Sequence, residues 1–274
     1  MILKDFGKTG RKVSEIGMGT YYDPAWIAGA FLGWRRGASE KVQAVESGLE
    51  SGITLADTAE IYGSEPLVGE ALAKYKRDDV FLATKVSPIH LHREAVIKSL
   101  EKSLRRLGTT YVDLYQVHQP NSRVPISETM AAMEELVRAG KVRHVGVSNF
   151  SLEQTMKANA ALPKSQLASI QPDYSLINRK IESDLLPYCE ANGIAVLAYF
   201  PLGHGKLVAS GKVTEIARKY GKTNGQTALR WLARKKGVFP IPRASTRVHV
   251  QENVGASGWE LADDDAAKLD SSFA

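Results

Sequence analysis

The sequence predicts an α/β fold, a closed (β/α)8 TIM barrel with an N-terminal β-hairpin, and three observations carry that prediction. From residue 39 onward, helix-like segments and strand-like apolar runs alternate almost without exception. That order places a parallel sheet inside a layer of helices. Eight strand-and-helix units fit within 274 residues, which is the size of a closed barrel. The structural competitor is an open, doubly wound sheet, which carries a glycine fingerprint after its first strand. Here Gly17-Met18-Gly19 is followed by Tyr22 where the third glycine belongs, so the fingerprint fails. No linker, low-complexity tract or short repeat interrupts residues 1–274, and one domain is expected.

Taken in order, Ile2 to Gly7 is β-type and Lys8-Thr9-Gly10 supplies the hairpin turn. Residues 13–19 read as the first barrel strand, leading into a loop that carries Trp26, Phe31 and Trp34. Helices are expected over 39–51, 65–74, 93–106, 126–139, 152–160, 181–191 and 224–236. Between them, strands are expected over 53–57, 80–85, 112–118, 142–147, 168–171, 194–199 and 238–241. Within the third helix, Val96, Ile97, Leu100 and Leu104 share one face at the helical period. Ser151 with Gln154, and Thr223 with Gln226, have capping-box spacing at helix starts. Gly52, Gly108, Gly140, Gly193 and Gly237 each follow a helical stretch as stop signals. Asp263-Asp264-Asp265 reads as the acidic first turn of a last helix.

Bulk properties narrow the function classes. Hydrophobic content of 43% and charged content of 24% are ordinary for a soluble globular chain. The net charge is +6 (36 basic minus 30 acidic residues), and the basic residues are interspersed among acidic ones. The densest cluster, Arg234-Lys235-Lys236, lies at a predicted helix end, where cations offset the helix dipole, so no nucleic-acid partner is expected. Met1-Ile2-Leu3 runs directly into Lys4-Asp5 without an apolar signal core, and no stretch is long enough to span a bilayer. Cys189 is the single cysteine and cannot form an internal disulfide. A cytoplasmic protein without a membrane partner is the expectation. The sequence leaves the oligomeric state open.

Barrels of this kind place their chemistry at the C-terminal ends of the strands. Asp57, Lys85 and His118 close three successive predicted strands, and Tyr62 follows Asp57 in the loop. On parallel neighbours these four would gather on one rim as a catalytic set. A free tyrosine titrates near pH 10 and is a weak acid at neutral pH. An ammonium beside it favours the phenolate and lowers its pKa, the role expected of Lys85. Asp57 would keep that lysine charged and fixed, and His118 would hydrogen-bond a carbonyl oxygen or assist a proton relay. Later strands deliver Ser148 and Asn149, Gln171, Tyr199, and the segment after the eighth strand that begins Pro242-Arg243. His90-Leu91-His92 has no third ligand nearby in sequence, and no metal site is expected.

With these motifs in place the chain resembles the aldo-keto reductase family over essentially its whole length. The matching segments are Gly17-Met18-Gly19-Thr20, Asp57-Thr58-Ala59-Glu60-Ile61-Tyr62-Gly63, Thr84-Lys85, the stretch from Val112 to His118, Gly146-Val147-Ser148-Asn149-Phe150, the stretch from Ala198 to Gly203, Ile241-Pro242-Arg243, and Glu252-Asn253. The resemblance implies reduction of aldehydes and ketones to alcohols with NADPH as cofactor, NADH being the alternative. It implies that Ser148, Asn149 and Gln171 hold the nicotinamide carboxamide while Tyr199 stacks on the ring. Pro201, Leu202 and Gly203 would belong to the loop that wraps the pyrophosphate. Arg243 would meet the adenosine 2′-phosphate, with Ser245 and Thr246 supplying hydroxyls, and Glu252 and Asn253 would hold the adenine. Where the family often carries a second arginine, this chain has His249.

The resemblance implies a small carbonyl substrate, and Trp26, Phe31 and Trp34 are the expected apolar wall of its pocket. The quick approach to a helix after Gly205 and the end of the chain soon after Leu269 suggest an open pocket. The rival reading is a non-catalytic, cofactor-sensing subunit like the potassium-channel β subunits. Those carry asparagine where this chain has His118.

Overall fold

The computed structural model describes residues 1–162 and 164–273. Strands β1 (Leu3–Asp5) and β2 (Lys12–Ser14) pair antiparallel as the expected hairpin. The strands that follow form one eight-stranded parallel sheet in simple chain order. They are β3 (Met18–Gly19), β4 (Leu55–Asp57), β5 (Phe81–Val86), β6 (Val112–Val117), β7 (Val142–Ser148), β8 (Leu167–Gln171), β9 (Ala195–Ala198) and β10 (Val238–Pro240). The sheet curls until its edges meet. Gly17 N donates to Pro240 O at 2.9 Å and Gly19 N to Pro242 O at 3.1 Å. Glycine is required at this seam, because a Cβ on Gly19 would sit 2.8 Å from the Ile241 carbonyl oxygen.

Helices α1 (Pro24–Phe31), α2 (Ala38–Glu50), α3 (Glu65–Leu72), α4 (Arg93–Leu107), α5 (Ile126–Arg138), α6 (Leu152–Ala160) and α7 (Leu185–Asn192) follow the first six barrel strands, the first two of them both after β3. They are followed by α8 (Gly211–Lys219), α9 (Asn224–Ala233), α10 (Arg247–Val254) and α11 (Asp263–Ser272). Both expected capping boxes form, at Ser151 for α6 and Thr223 for α9. Gly108 and Gly193 end α4 and α7 in the left-handed conformation that a side chain would resist. Three helices lay outside the sequence expectation, yet two carry start signals: Asp23 before Pro24 for α1, and Thr246 for α10. The third, α8, shows its apolar face in Val213, Ile216 and Ala217.

One strand differs from expectation. The run 13–19 divides, its start pairing in the hairpin and its end entering the barrel. Between them Ser14 Oγ bonds Ile16 O at 2.8 Å, and buried Glu15 is held by Arg230 at 2.8 Å. Those contacts pair the buried polar groups at the bend.

The barrel interior is filled by a cluster that includes Leu55, Phe81, Ala83, Leu114, Ala195, Leu197, Phe239 and Ile241. Phe6 from the hairpin joins it, with ring centroids 4.6 Å from Phe81 and 5.1 Å from Phe239. Truncating such a buried ring costs about 3–5 kcal/mol. Side chains on a strand alternate between faces, so these inward rows predict which residues face the rim. Counting on by two gives Asp57 after Leu55, Lys85 after Ala83, Tyr199 after Leu197 and Arg243 after Ile241.

Candidate active site

The four rim residues meet. Lys85, fully buried, donates from Nζ to Asp57 Oδ2 at 2.6 Å and to Thr58 O at 2.8 Å. Asp57 Oδ1 accepts from Gln171 Nε2 at 2.9 Å, so both carboxylate oxygens have partners. Tyr62 Oη lies 3.3 Å from His118 Nε2, and Lys85 Nζ is 4.9 Å from the centre of the Tyr62 ring. Burial lowers the Lys85 pKa, and the adjacent Asp57 carboxylate opposes that shift. Each member of the pair has a hydrogen-bonded partner beyond the other, Gln171 for Asp57 and Thr58 O for Lys85, as a buried ion pair requires.

The electrostatics correct one expectation. Burial pushes the Tyr62 phenol well above its ordinary pKa, and Asp57, Tyr199 and Tyr21 add to the rise. The Lys85 cation does not reverse this, since its charge is matched at 2.6 Å by Asp57. Tyr62 is therefore held as a neutral phenol with its proton available. Burial, and the Lys85 charge after it, lower the His118 pKa from 6.5 to about 3, which keeps the imidazole neutral at physiological pH. His118 Nδ1 is buried without a hydrogen-bond partner.

Asp57, Tyr62 and His118 face a cavity of about 310 Å³, with Lys85 buried behind them. Of the residues expected to hold cofactor, Ser148, Asn149, Gln171, Tyr199, Pro201 and Arg243 line it. Ser148 Oγ donates to Gln171 O at 2.8 Å, and Asn149 Nδ2 to His118 O at 3.0 Å. Tyr199 Oη donates to Asn149 Oδ1 at 2.6 Å. Asn149 has φ 61°, a left-handed conformation that asparagine tolerates better than bulkier residues. Phe200, also on the cavity wall, has φ 46°, and His204 has φ 55°. Backbone strain of this kind concentrates at ligand sites.

The other expected cofactor residues lie outside this cavity. Leu202 and Gly203 follow Pro201 in the turn after β9, Gly203 packing under Ile177. Ser245 precedes Thr246, which caps α10 by accepting from His249 N at 3.3 Å. Glu252 on α10 accepts from Thr223 at the start of α9, and Asn253 beside it is buried. Arg243 donates from Nη1 to the Tyr22 carbonyl, across the seam of the barrel.

Trp26, Phe31 and Trp34 do not reach the cavity. The Asp23 cap, accepting from Trp26 N at 2.8 Å, starts α1 and turns Trp26 inward. Its ring packs at 5.6 Å against Tyr22, under Lys41 Nζ at 4.5 Å. Phe31 and Trp34, each 70% exposed, face away from the core. The apolar wall is instead made by Tyr21, Ile61, Phe200 and Ile241, with Gln119 beside His118. Tyr21 meets Tyr62 edge-on at 5.2 Å and Phe200 at 6.1 Å. Ile61 and Gln119 adjoin residues that the sequence does single out, and Ile241 lies one inward step before Arg243. Tyr21 directly follows the Gly17–Thr20 segment, but its residue type gives no reason to place it in the pocket. His90 and His92 bond carboxylates, Glu60 at 2.8 Å and Glu128 at 3.1 Å.

Comparison with known proteins gives a consistent answer. The model of the Aldo/keto reductase family matches residues 15–273. Aldo-keto reductase YhdN of Bacillus subtilis is 42% identical over 76% of this chain, an aligned region that covers 63% of YhdN. Methylglyoxal reductase YeaE of Escherichia coli is 38% identical over 94% of this chain and 90% of its own. An aldo/keto reductase from Klebsiella pneumoniae, solved with NADP and acetate, superposes with a TM-score of 0.87 at 35% identity, covering 98% of this chain and 95% of that one. A thermostable aldo-keto reductase bound to the inhibitor epalrestat gives a TM-score of 0.89 at 36% identity over 99% of both chains.

Proposed function

We propose that this chain, which belongs to the aldo/keto reductase family, reduces small aldehydes and accessible ketones with NADPH, using Tyr62 as the proton donor. The observation that carries this reading is the Tyr62–His118 pair, 3.3 Å apart and facing one cavity, with the Lys85–Asp57 pair buried behind it. A channel-type sensing subunit needs no such imidazole beside the phenol. The donor set also fits a nicotinamide cofactor. Ser148, Asn149 and Gln171 gather hydroxyl and amide groups suited to a carboxamide, and Arg243 has the forked geometry suited to a phosphate. The aldo/keto reductase from Klebsiella pneumoniae was solved with NADP, in keeping with that choice.

When bound, the cofactor supplies a hydride to the carbonyl carbon. The chain supplies the rest. Tyr62 Oη and His118 Nε2 would both face the carbonyl oxygen, replacing the contact they make with each other. His118, neutral, can donate from Nε2 in the tautomer that leaves Nδ1 unprotonated. Negative charge growing on the oxygen then draws the Tyr62 proton, because an alkoxide is a much stronger base than a phenolate. The Lys85 ammonium stands behind the phenolate that remains. Tyr21 and Phe200 give the cavity an aromatic wall, and its volume of about 310 Å³ suits compact carbonyl compounds. The relative named as a methylglyoxal reductase makes a short α-oxoaldehyde a sensible first substrate. No described helix is long and apolar enough to cross a membrane, and a single-domain enzyme acting in the cytoplasm completes the proposal.

The test is cofactor oxidation with a panel of carbonyl compounds, wild type against Tyr62→Phe. The variant should lose reduction by at least a hundredfold while binding NADPH nearly as tightly. Turnover by Tyr62→Phe at the wild-type rate would refute the assignment. Cofactor binding by the wild type without turnover of any carbonyl would favour the sensing subunit.

A further inference from the structure

We infer that Glu60 is a positioning residue for the proton transfer, its buried carboxylate pinning the loop of Tyr62 to the turn that follows Lys85; the inference rests on the catalytic reading of Tyr62. The β4–β5 ladder ends with Asp57 opposite Ala83. Beyond it, backbone pairing continues for two more bonds, Thr58 N to Ala83 O at 2.9 Å and Glu60 N to Lys85 O at 3.2 Å. The next donor on the β5 side is Ser87 N. Among the described residues no backbone carbonyl takes it. The Glu60 side chain does, with Oε1 at 2.7 Å.

The same oxygen is 2.8 Å from His90 Nδ1, and the Glu60 side chain is only 8% exposed. A carboxylate thus stands where a strand carbonyl would otherwise be. The main chain is released from the ladder after residue 60 and turns, which brings Ile61 and Tyr62 onto the cavity wall. Lys85 is held from both sides by this arrangement, through its own carbonyl and through Ser87 two residues on. One side chain therefore sets the distance between the phenol and the ammonium. Neither Tyr62 nor Lys85 touches the Glu60 carboxylate, so its effect passes through the backbone of both loops.

Displacements of about 1 Å at a reacting group cost about a hundredfold in rate, which sets the scale of the test. Glu60→Ala should lower kcat for a carbonyl substrate by about tenfold to a hundredfold. KM should change by less than about threefold, and NADPH affinity, read by fluorescence quenching, by less than about twofold, because no cofactor group is displaced. Both hydrogen bonds land on one oxygen, so Glu60→Gln keeps an acceptor in place and should recover most of the rate. His90→Ala, at a partly exposed site that folds readily, should lower kcat by a few-fold in the same direction. The Ser87 amide should be protected from hydrogen exchange in wild type and Glu60→Gln and lose that protection in Glu60→Ala.

Three results would overturn the inference: wild-type kcat in Glu60→Ala, a glutamine variant no better than alanine, or cofactor affinity lost in step with rate. If Glu60→Ala does not fold, the glutamine and His90→Ala variants decide alone, and wild-type-like kcat in His90→Ala with an unprotected Ser87 amide in the wild type would sink it. Inactivity of the wild type on every carbonyl would instead defeat the catalytic reading, and Ser87 exchange would still report whether Glu60 is the anchor.

Discussion

Replacing Lys85 with methionine separates what the buried ion pair does for the fold from what it does for the reaction. Lys85 and Asp57 are both buried, with Nζ 2.6 Å from Oδ2. Methionine roughly fills the space of the lysine stem but cannot donate. Asp57 would keep only the Gln171 amide at 2.9 Å, and Thr58 O would lose its 2.8 Å donor. Removing one partner of a buried pair costs about 3–5 kcal/mol, mostly as the cost of the charge left behind. For a chain of this size that corresponds to a fall in melting temperature of about 5–9 °C. Adding Asp57→Asn removes the orphaned charge, so the double variant should be more stable than Lys85→Met alone. Urea or thermal unfolding followed by circular dichroism measures all four corners of the cycle. Turnover should not return in the double variant, because the phenol still lacks its cation. The reasoning fails if Lys85→Met costs less than about 1 kcal/mol, or if the double variant is the least stable of the four.

Three further outcomes are expected. His118 has its pKa lowered from 6.5 to about 3 in the native state; the unfolded chain binds a proton near pH 6.5 that the native protein refuses until about pH 3, so stability falls as pH drops through that window. Urea midpoints of His118→Asn against wild type between pH 7 and pH 4 should show this slope flattened by up to one proton, about 1.4 kcal/mol per pH unit, and parallel slopes would contradict the assigned burial effect. Arg243→Ala should weaken NADPH by about tenfold to a hundredfold, the worth of a charge-assisted hydrogen bond, and NADH far less; equal losses in a fluorescence titration would remove the phosphate role. A Cβ at Gly146 would lie 2.4 Å from Ser169 Oγ and 3.1 Å from Ser169 O, so Gly146→Ala should cost about 1–3 kcal/mol in chemical unfolding, less in a Ser169→Ala background, and an unchanged midpoint would show that the interior wall yields.

The candidate rim was readable because a parallel barrel converts sequence order into spatial order. Each strand end in the chain becomes one position on the ring, so Asp57, Lys85 and His118 could be placed as neighbours before any contact was known. The inward rows fix the facing of Asp57, Lys85 and Arg243 by simple alternation. Trp26, Phe31 and Trp34 were misplaced because their segment carries a local cap at Asp23 that outweighs its loop-like appearance. Within α1, helical phase turns Trp26 inward and leaves Phe31 exposed.

By itself the sequence determined the alternation of elements, the caps and glycine stops, the polar residues at the strand ends, and the family to which the chain belongs. These are local or periodic properties, fixed by propensity and by neighbours within a few residues. Only the tertiary structure decided that Tyr21, Phe200 and Ile241 line the cavity wall, that Tyr62 remains a protonated phenol despite a lysine close by, and that Glu60 takes the place of a strand carbonyl at Ser87. Each of these depends on distances between segments far apart in the chain. Electrostatic and steric terms change steeply over a few ångströms, which no spacing in the sequence can specify.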